Sequence, residues 1–211
     1  MTESKIAFIA RIFLFVIYLV GLIGISIPSL QPLYVHLTPI TLLISALLLL
    51  AFHEPWNWKF IFSILLIFVG GYIIELIGVQ SGAVFGNYSY QDTLGLKLMG
   101  VPIIIGVNWL ILSYSSYYLA SFLTSKDVLR LLYGGVFMVV FDLLLEPVAE
   151  KTGMWHWENG GPPLQNYVAW FVAGIVFMSL FIIFRNSLKN KIAGYLYFFM
   201  LMFFGILNLT L

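Results

Sequence analysis

The chain has 211 residues, of which 62% are hydrophobic and 9% charged, and its mean hydropathy is +1.02. A soluble domain is nearer a quarter charged, so the composition defines an integral membrane protein and excludes a water-soluble globular domain. The net charge of +1 leaves no basic face for nucleic acid, and the absence of cysteine excludes disulfides, a thiol nucleophile and a thiolate metal site.

Seven apolar runs are predicted to form a polytopic all-α bundle, a single integral membrane domain over 1–211. The first spans about 6–27 and ends at Pro28; it is long enough to cross, and no small-residue cleavage site follows it, so a span and not a secretory signal is expected there. The second, about 33–52, is the shortest and has Pro39 in its first turns. The third covers about 59–79 and the fourth about 100–123, with Pro102 suited to a first helical turn. The fifth covers about 128–149, the sixth about 166–184 and the seventh about 192–210. Each approaches the ~20 apolar residues that cross ~30 Å of hydrocarbon. The runs do not alternate apolar and polar residues as barrel strands do.

Lysine and arginine set the orientation. With seven crossings, one side holds Lys5, Arg11, Lys59, Lys126, Arg130, Arg185, Lys189 and Lys191, and the other holds Lys97 and Lys151. The N-terminus is therefore expected in the cytoplasm, in a prokaryotic plasma membrane. The two longer loops, about 80–99 and 150–165, fall on the outer side and are rich in aromatic and turn residues.

The fifth run carries Asp142 and Glu146 inside F-D-L-L-L-E-P. Four residues apart, they share one helix face, and each carboxylate costs roughly 2.5–3.5 kcal/mol at the centre of a span. Pro147 removes a donor and is expected to kink or end the helix beside Glu146. Glu75, Asn108 with Trp109, and Asn166 lie at similar depth on the same side. Function is the default reading of such a one-sided cluster. Loops 80–99 and 150–165 are expected to roof a single buried site there, bringing in Tyr88, Trp155 and Trp157, although Tyr and Trp are also enriched at membrane interfaces without chemistry.

Much chemistry is excluded. The three histidines, His36, His53 and His156, form no iron-binding box, and there is no dinucleotide or Walker fingerprint. No lysine in the last span could hold a retinal. What remains is carboxylate acid–base chemistry without a cofactor or metal ligand set. Asp142 and Glu146 could share a proton, one acting as acid and the other as base for water, with aromatic faces stabilising a cation. That combination suits protonation of an isolated C=C bond in a lipid and capture of the carbocation by water.

The ordered motifs F-G-N-Y-S-Y (85–90), L-G (94–95), G-V-P-I-I-I-G-V-N-W (100–109), F-D-L-L-L-E-P-V-A (141–149), G-M-W-H-W (153–157) and N-Y-V-A-W-F (166–171) resemble the membrane carotenoid biosynthesis family, which includes carotenoid 1,2-hydratases and bisanhydrobacterioruberin hydratase. The chain departs from the family pattern at Glu146, where Asp is expected before proline, and at Gly160-Gly161-Pro162-Pro163, where an aromatic-Gly-Val-Pro run is expected. The resemblance implies water addition to the terminal isopropylidene double bond of an acyclic carotenoid. On that reading the partners are the carotenoid, water, membrane lipids and other enzymes of the pathway.

Asp142 is then the expected acid, Glu146 the group that orients or deprotonates water, and Glu75 a tuning or relay group; the acid and base labels can be exchanged. Asn108, Asn166 and Tyr88 would position water, and Trp109, Trp155 and Trp157 would line the cation. Two other readings stay open: a lycopene-type cyclase, in which an internal double bond captures the cation, and a proton-coupled transporter or lipid-binding membrane protein.

Overall fold

The computed structural model describes residues 3–211. Among these residues eight α-helices form the bundle: α1 Glu3–Ser26, α2 Gln31–His36, α3 Thr38–Ala51, α4 Trp58–Ser81, α5 Ile104–Leu123, α6 Asp127–Lys151, α7 Leu164–Ile183 and α8 Ala193–Thr210. Three short antiparallel strand pairs join the connectors: β1 His53–Glu54 with β6 Lys189–Asn190, β2 Tyr88–Tyr90 with β5 Trp155–Trp157, and β3 Lys97–Leu98 with β4 Val101–Pro102. A 3-10 turn, Asp92–Leu94, follows β2.

The chain is an all-α membrane bundle. Five helices, α1 (from Lys5), α4, α6, α7 and α8, are long and apolar enough to cross a bilayer. Their outward faces expose large apolar side chains such as Phe8, Leu65, Val172 and Phe198, an arrangement suited to lipid and not to water. The 20-residue α5 is more polar, with Asn108, Ser113, Ser115 and Ser116 along it, and all four are buried. It packs against α3, α4, α6, α7 and α8, so its polar groups meet protein.

Three boundaries differ from the expectation. The second predicted span is two helices: α2 stops at His36, and the 14-residue α3 restarts after Leu37 with Pro39 in its first turn, where a missing N–H costs nothing. The fourth begins at Ile104, because Val101–Pro102 pairs with Lys97–Leu98 as a hairpin and leaves Pro102 in a strand. The two residues between, Met99 and Gly100, both have positive φ, 51° and 86°, the backbone a two-residue hairpin of this hand needs. α6 does not end at Pro147; it runs through to Lys151.

Alternate connectors meet at opposite ends of the bundle. The β1–β6 pair ties the α3–α4 and α7–α8 connectors together. At the other end the β2–β5 pair ties the α4–α5 and α6–α7 connectors together. At that second end α4 stops cleanly: Gly82 takes the left-handed conformation, φ 65°, and donates its N–H to the Gly78 carbonyl, the usual glycine device at a helix C-terminus.

Candidate active site

The strand pair β2–β5 is the roof of a buried polar cluster. Its register sets Tyr88 opposite Trp157, Ser89 opposite His156 and Tyr90 opposite Trp155. Side chains alternate faces along a strand, so the four aromatic residues turn inward and are buried while Ser89 and His156 face out. The Y-S-Y and W-H-W triplets thus each carry two hydrogen-bond donors to one side.

Glu75 of α4 is 4% exposed and accepts from two of these donors and from one on α5. Tyr88 and Tyr90 donate their hydroxyls to Oε2, the latter at 2.8 Å, and Trp109 of α5 donates Nε1–H to Oε1 at 3.0 Å. Burial, then the adjacent Glu75 carboxylate, holds both tyrosine hydroxyls well above the usual tyrosine range, so they remain donors. Gly71 permits the approach of Trp109: a Cβ there would lie 2.5 Å from the Trp109 Cβ.

Glu146 of α6 also has three donors. Trp155 and Trp157 give Nε1–H to its Oε2 at 2.9 and 2.7 Å, and Asn166 of α7 gives Nδ2–H to Oε1 at 3.3 Å. The same Asn166 nitrogen donates to Asp142 Oδ2 at 2.6 Å. Both partners are carboxylate oxygens, which fixes the amide nitrogen toward them. One turn beyond, Glu150 accepts the Trp157 backbone N–H at 3.0 Å and pairs with His156, fastening β5 to α6.

Asp142 is different. It is fully buried, and its Oδ1 accepts from no donor among the described residues; the Glu146 carboxyl is within hydrogen-bonding reach of its side chain once one of the two carries a proton. No lysine or arginine forms an ion pair with any of the three carboxylates among the described residues. Two adjacent buried carboxylates without a cation are costly when both are charged. The lone pairs of Glu75 and Glu146 are engaged by N–H and O–H groups. Among the described residues no set of three or more His, Cys, Asp or Glu side chains could hold a metal ion.

A cavity of about 50 Å³ adjoins the cluster. Glu75, Asn108, Trp155 and Trp170 line its polar side, and Leu42, Leu145, Met200 and Phe204 are among its apolar walls; Asp142 and Glu146 do not reach it. Asn108 is 8% exposed, and its amide makes no hydrogen bond to any described residue. The structure therefore brings together all nine of the predicted residues, Glu75, Tyr88, Asn108, Trp109, Asp142, Glu146, Trp155, Trp157 and Asn166, with the indole N–H edges of the three tryptophans on carboxylates. Two further residues belong with them. Tyr90 donates to Glu75, and Trp170 stacks on Trp109 with centroids 4.5 Å apart and planes at 24°. The signal for Tyr90 was the aromatic–polar–aromatic alternation of 88–90.

The opposite end of the bundle has its own polar cluster. His53 Nε2 meets the Pro55 carbonyl at 3.1 Å, which makes Nδ1 the acceptor for the Tyr114 hydroxyl at 2.7 Å. Asn190 donates to Tyr114 at 3.2 Å and to the Leu49 carbonyl at 2.8 Å, while its side-chain oxygen accepts the N–H groups of Ile192 and Ala193. Burial lowers the His53 pKa to about 4, against the Pro55 hydrogen bond, which raises it.

Fold and site together define an integral membrane protein with a buried carboxylate cluster roofed by aromatic strands. The chain matches the carotenoid biosynthesis protein family over residues 30–211 and belongs to it. It is also similar to the bisanhydrobacterioruberin hydratase of Haloarcula japonica, 35% identical over 118 residues, a match covering 52% of this chain and 40% of that protein. The matched part is thus less than half the length of that relative. No solved structure matches the chain.

Proposed function

We propose that the protein is a hydratase that adds water across the terminal isopropylidene double bond of an acyclic carotenoid, without a cofactor. Membership of the carotenoid biosynthesis family and the hydratase relative support the substrate class. The observation that carries the chemistry is the contact of two buried carboxyls, Asp142 with a donor-free Oδ1 and the triply hydrogen-bonded Glu146, close enough to share a proton. A carboxyl oxygen with no donor is where a proton resides at least cost. Three donors stabilise a negative charge on Glu146 better than the single Asn166 donor stabilises one on Asp142.

In the proposed reaction Asp142 gives its proton to the CH carbon of the double bond, leaving a tertiary cation and the Asp142 carboxylate. Water adds to the cation, and its surplus proton passes to Glu146 and back to Asp142 through the contact between the two. The acid is regenerated, and the net change is one water added. Glu75, which faces the cavity, stabilises the cation electrostatically together with the faces of Trp170 and Trp155. The free Asn108 amide in the same cavity positions the water. Tyr88, Tyr90 and Trp109 hold Glu75 in place, and Trp157 and Asn166 hold Glu146.

The 50 Å³ cavity has room for water. The branched end of the lipid requires it to widen and to bring Asp142 into contact with the double bond. We also propose seven crossings, with α2 as a connector and α3 as the short span, and the N-terminus in the cytoplasm. The eight-to-two division of lysine and arginine between the two sides favours this placement. The site then opens toward the outer leaflet, in a prokaryotic plasma membrane.

The test is expression in bacteria that make acyclic carotenoids, with the extracted pigments separated and weighed by mass spectrometry. A product heavier by one water is expected. An isomer of unchanged mass would replace this reading with cyclisation. Unaltered pigments across lycopene, neurosporene and a bacterioruberin precursor, with transport by the purified protein in liposomes, would replace it with a transporter.

A further inference from the structure

Arg11 lies two turns inside α1, roughly 12 Å along the helix from Glu3 at 1.5 Å per residue, within a segment apolar enough to cross the membrane. A charge there is costly unless it is paired or reaches the interface. Its Nε donates to the Lys191 carbonyl at 2.8 Å, and the guanidinium lies 4.3 Å over the ring of Tyr195. These two contacts fix the plane of the group. The terminal nitrogens have no acceptor among the described residues. They border a groove of about 520 Å³ between α5 and α8, at the end of the bundle away from the carboxylates. Tyr118, Asn190 and Lys191 line the groove with Arg11, and the remainder is apolar, formed by Leu119, Gly194, Phe122 and Phe198, the last two 70% and 54% exposed.

We infer that this groove binds an anionic phospholipid, its phosphate on Arg11 and one acyl chain along Leu119 and Phe198. A guanidinium held in one plane presents parallel N–H donors that fit phosphate oxygens two at a time. Basic pockets between membrane helices are where such headgroups bind. The groove is polar at one end and apolar at the other, as a lipid is. No carboxylate is among the described residues that line the groove, so it offers nothing to an ammonium group, which favours a lipid that has none.

The test is thermal unfolding of the purified chain in neutral detergent micelles doped with phosphatidylglycerol, with phosphatidylcholine, or supplied with inorganic phosphate. Phosphatidylglycerol is expected to raise the unfolding temperature at a lipid fraction about tenfold lower than phosphatidylcholine requires, and phosphate alone to leave it unchanged. Arg11→Gln is expected to weaken the phosphatidylglycerol response about tenfold or more, and Arg11→Lys to keep part of it. Gly194→Leu fills the groove and leaves Arg11 in place; a Cβ at 194 lies 3.3 Å from the Leu119 side chain. It is expected to abolish the response, and it decides the matter if Arg11→Gln fails to fold. Equal stabilisation by phosphatidylcholine or by phosphate, or an unchanged response in Gly194→Leu, would overturn the inference.

Discussion

Two buried polar networks, one at each end of the bundle, are finished differently, while outside both the Ser113, Ser115 and Ser116 hydroxyls, Arg130 Nε and Asn186 Oδ1 are also buried without partners among the described residues. At the β1–β6 end, His53, Tyr114 and Asn190 form a closed network in which each ring nitrogen of His53, the Tyr114 hydroxyl and both amide atoms of Asn190 are engaged. At the β2–β5 end, eleven buried or nearly buried side chains converge, and two polar positions are left over: Asp142 Oδ1 and the Asn108 amide. Buried polar groups in native proteins are nearly always hydrogen-bonded, and each exception asks for a reason. The closed network fits a structural clamp on two connectors. The open one, beside a cavity, fits a site waiting for substrate and water.

The largest effect should come from Asp142→Asn, which keeps the shape and removes the acid. Turnover of the carotenoid is expected to fall about a hundred- to ten-thousand-fold, the range for loss of a general acid, with the unfolding temperature little changed. Asn166→Leu should be next. It leaves Asp142 Oδ2 without a donor and removes one of three from Glu146. It is expected to lower stability by about 1–3 kcal/mol and to lower turnover as well, measured on the same preparation. Tyr90→Phe removes one donor from Glu75 but leaves Tyr88 and Trp109, and about 1 kcal/mol of stability is expected to go with it.

At the other end, Tyr114→Phe should lower stability by about 1–3 kcal/mol, because it strands His53 Nδ1, and leave turnover of the folded protein unchanged. A loss of turnover there would erase the contrast between the ends.

The last prediction concerns pH. The folded pKa of His53 is about 4, below its ordinary 6.5, so the unfolded chain takes up the proton first as pH falls. The stability from this residue is fully present above about 6.5 and is lost between about 6.5 and 4. Unfolding temperatures measured across that window should fall with pH in the parent chain and fall less steeply in His53→Gln.

The membrane class and the convergence of Glu75, Asn108, Asp142, Glu146 and Asn166 were legible because intramembrane polar residues are rare and costly, and the spacing of Asp142 and Glu146 places them on one face. A roof made by loops 80–99 and 150–165 was expected, but its pairing as strands β2 and β5 was not read, since three-residue strands leave little periodic signal, although Y-S-Y and W-H-W alternate as strands must. The tryptophans were expected to offer their faces to a cation. Trp109, Trp155 and Trp157 also offer N–H groups to carboxylates, and the face of Trp109 is stacked on Trp170, a partner on another helix that no local pattern identifies. The early start expected for α5 came from Pro102, which suits a first turn as well as a strand edge; the Met99–Gly100 turn decided between them.

The most direct test of the acid–base account is turnover of an acyclic carotenoid by the purified protein in heavy-oxygen water, run beside folded Asp142→Asn. The account predicts a product heavier by one water, with the hydroxyl oxygen taken from solvent, and almost none from the variant. Undiminished labelled product from folded Asp142→Asn would contradict it.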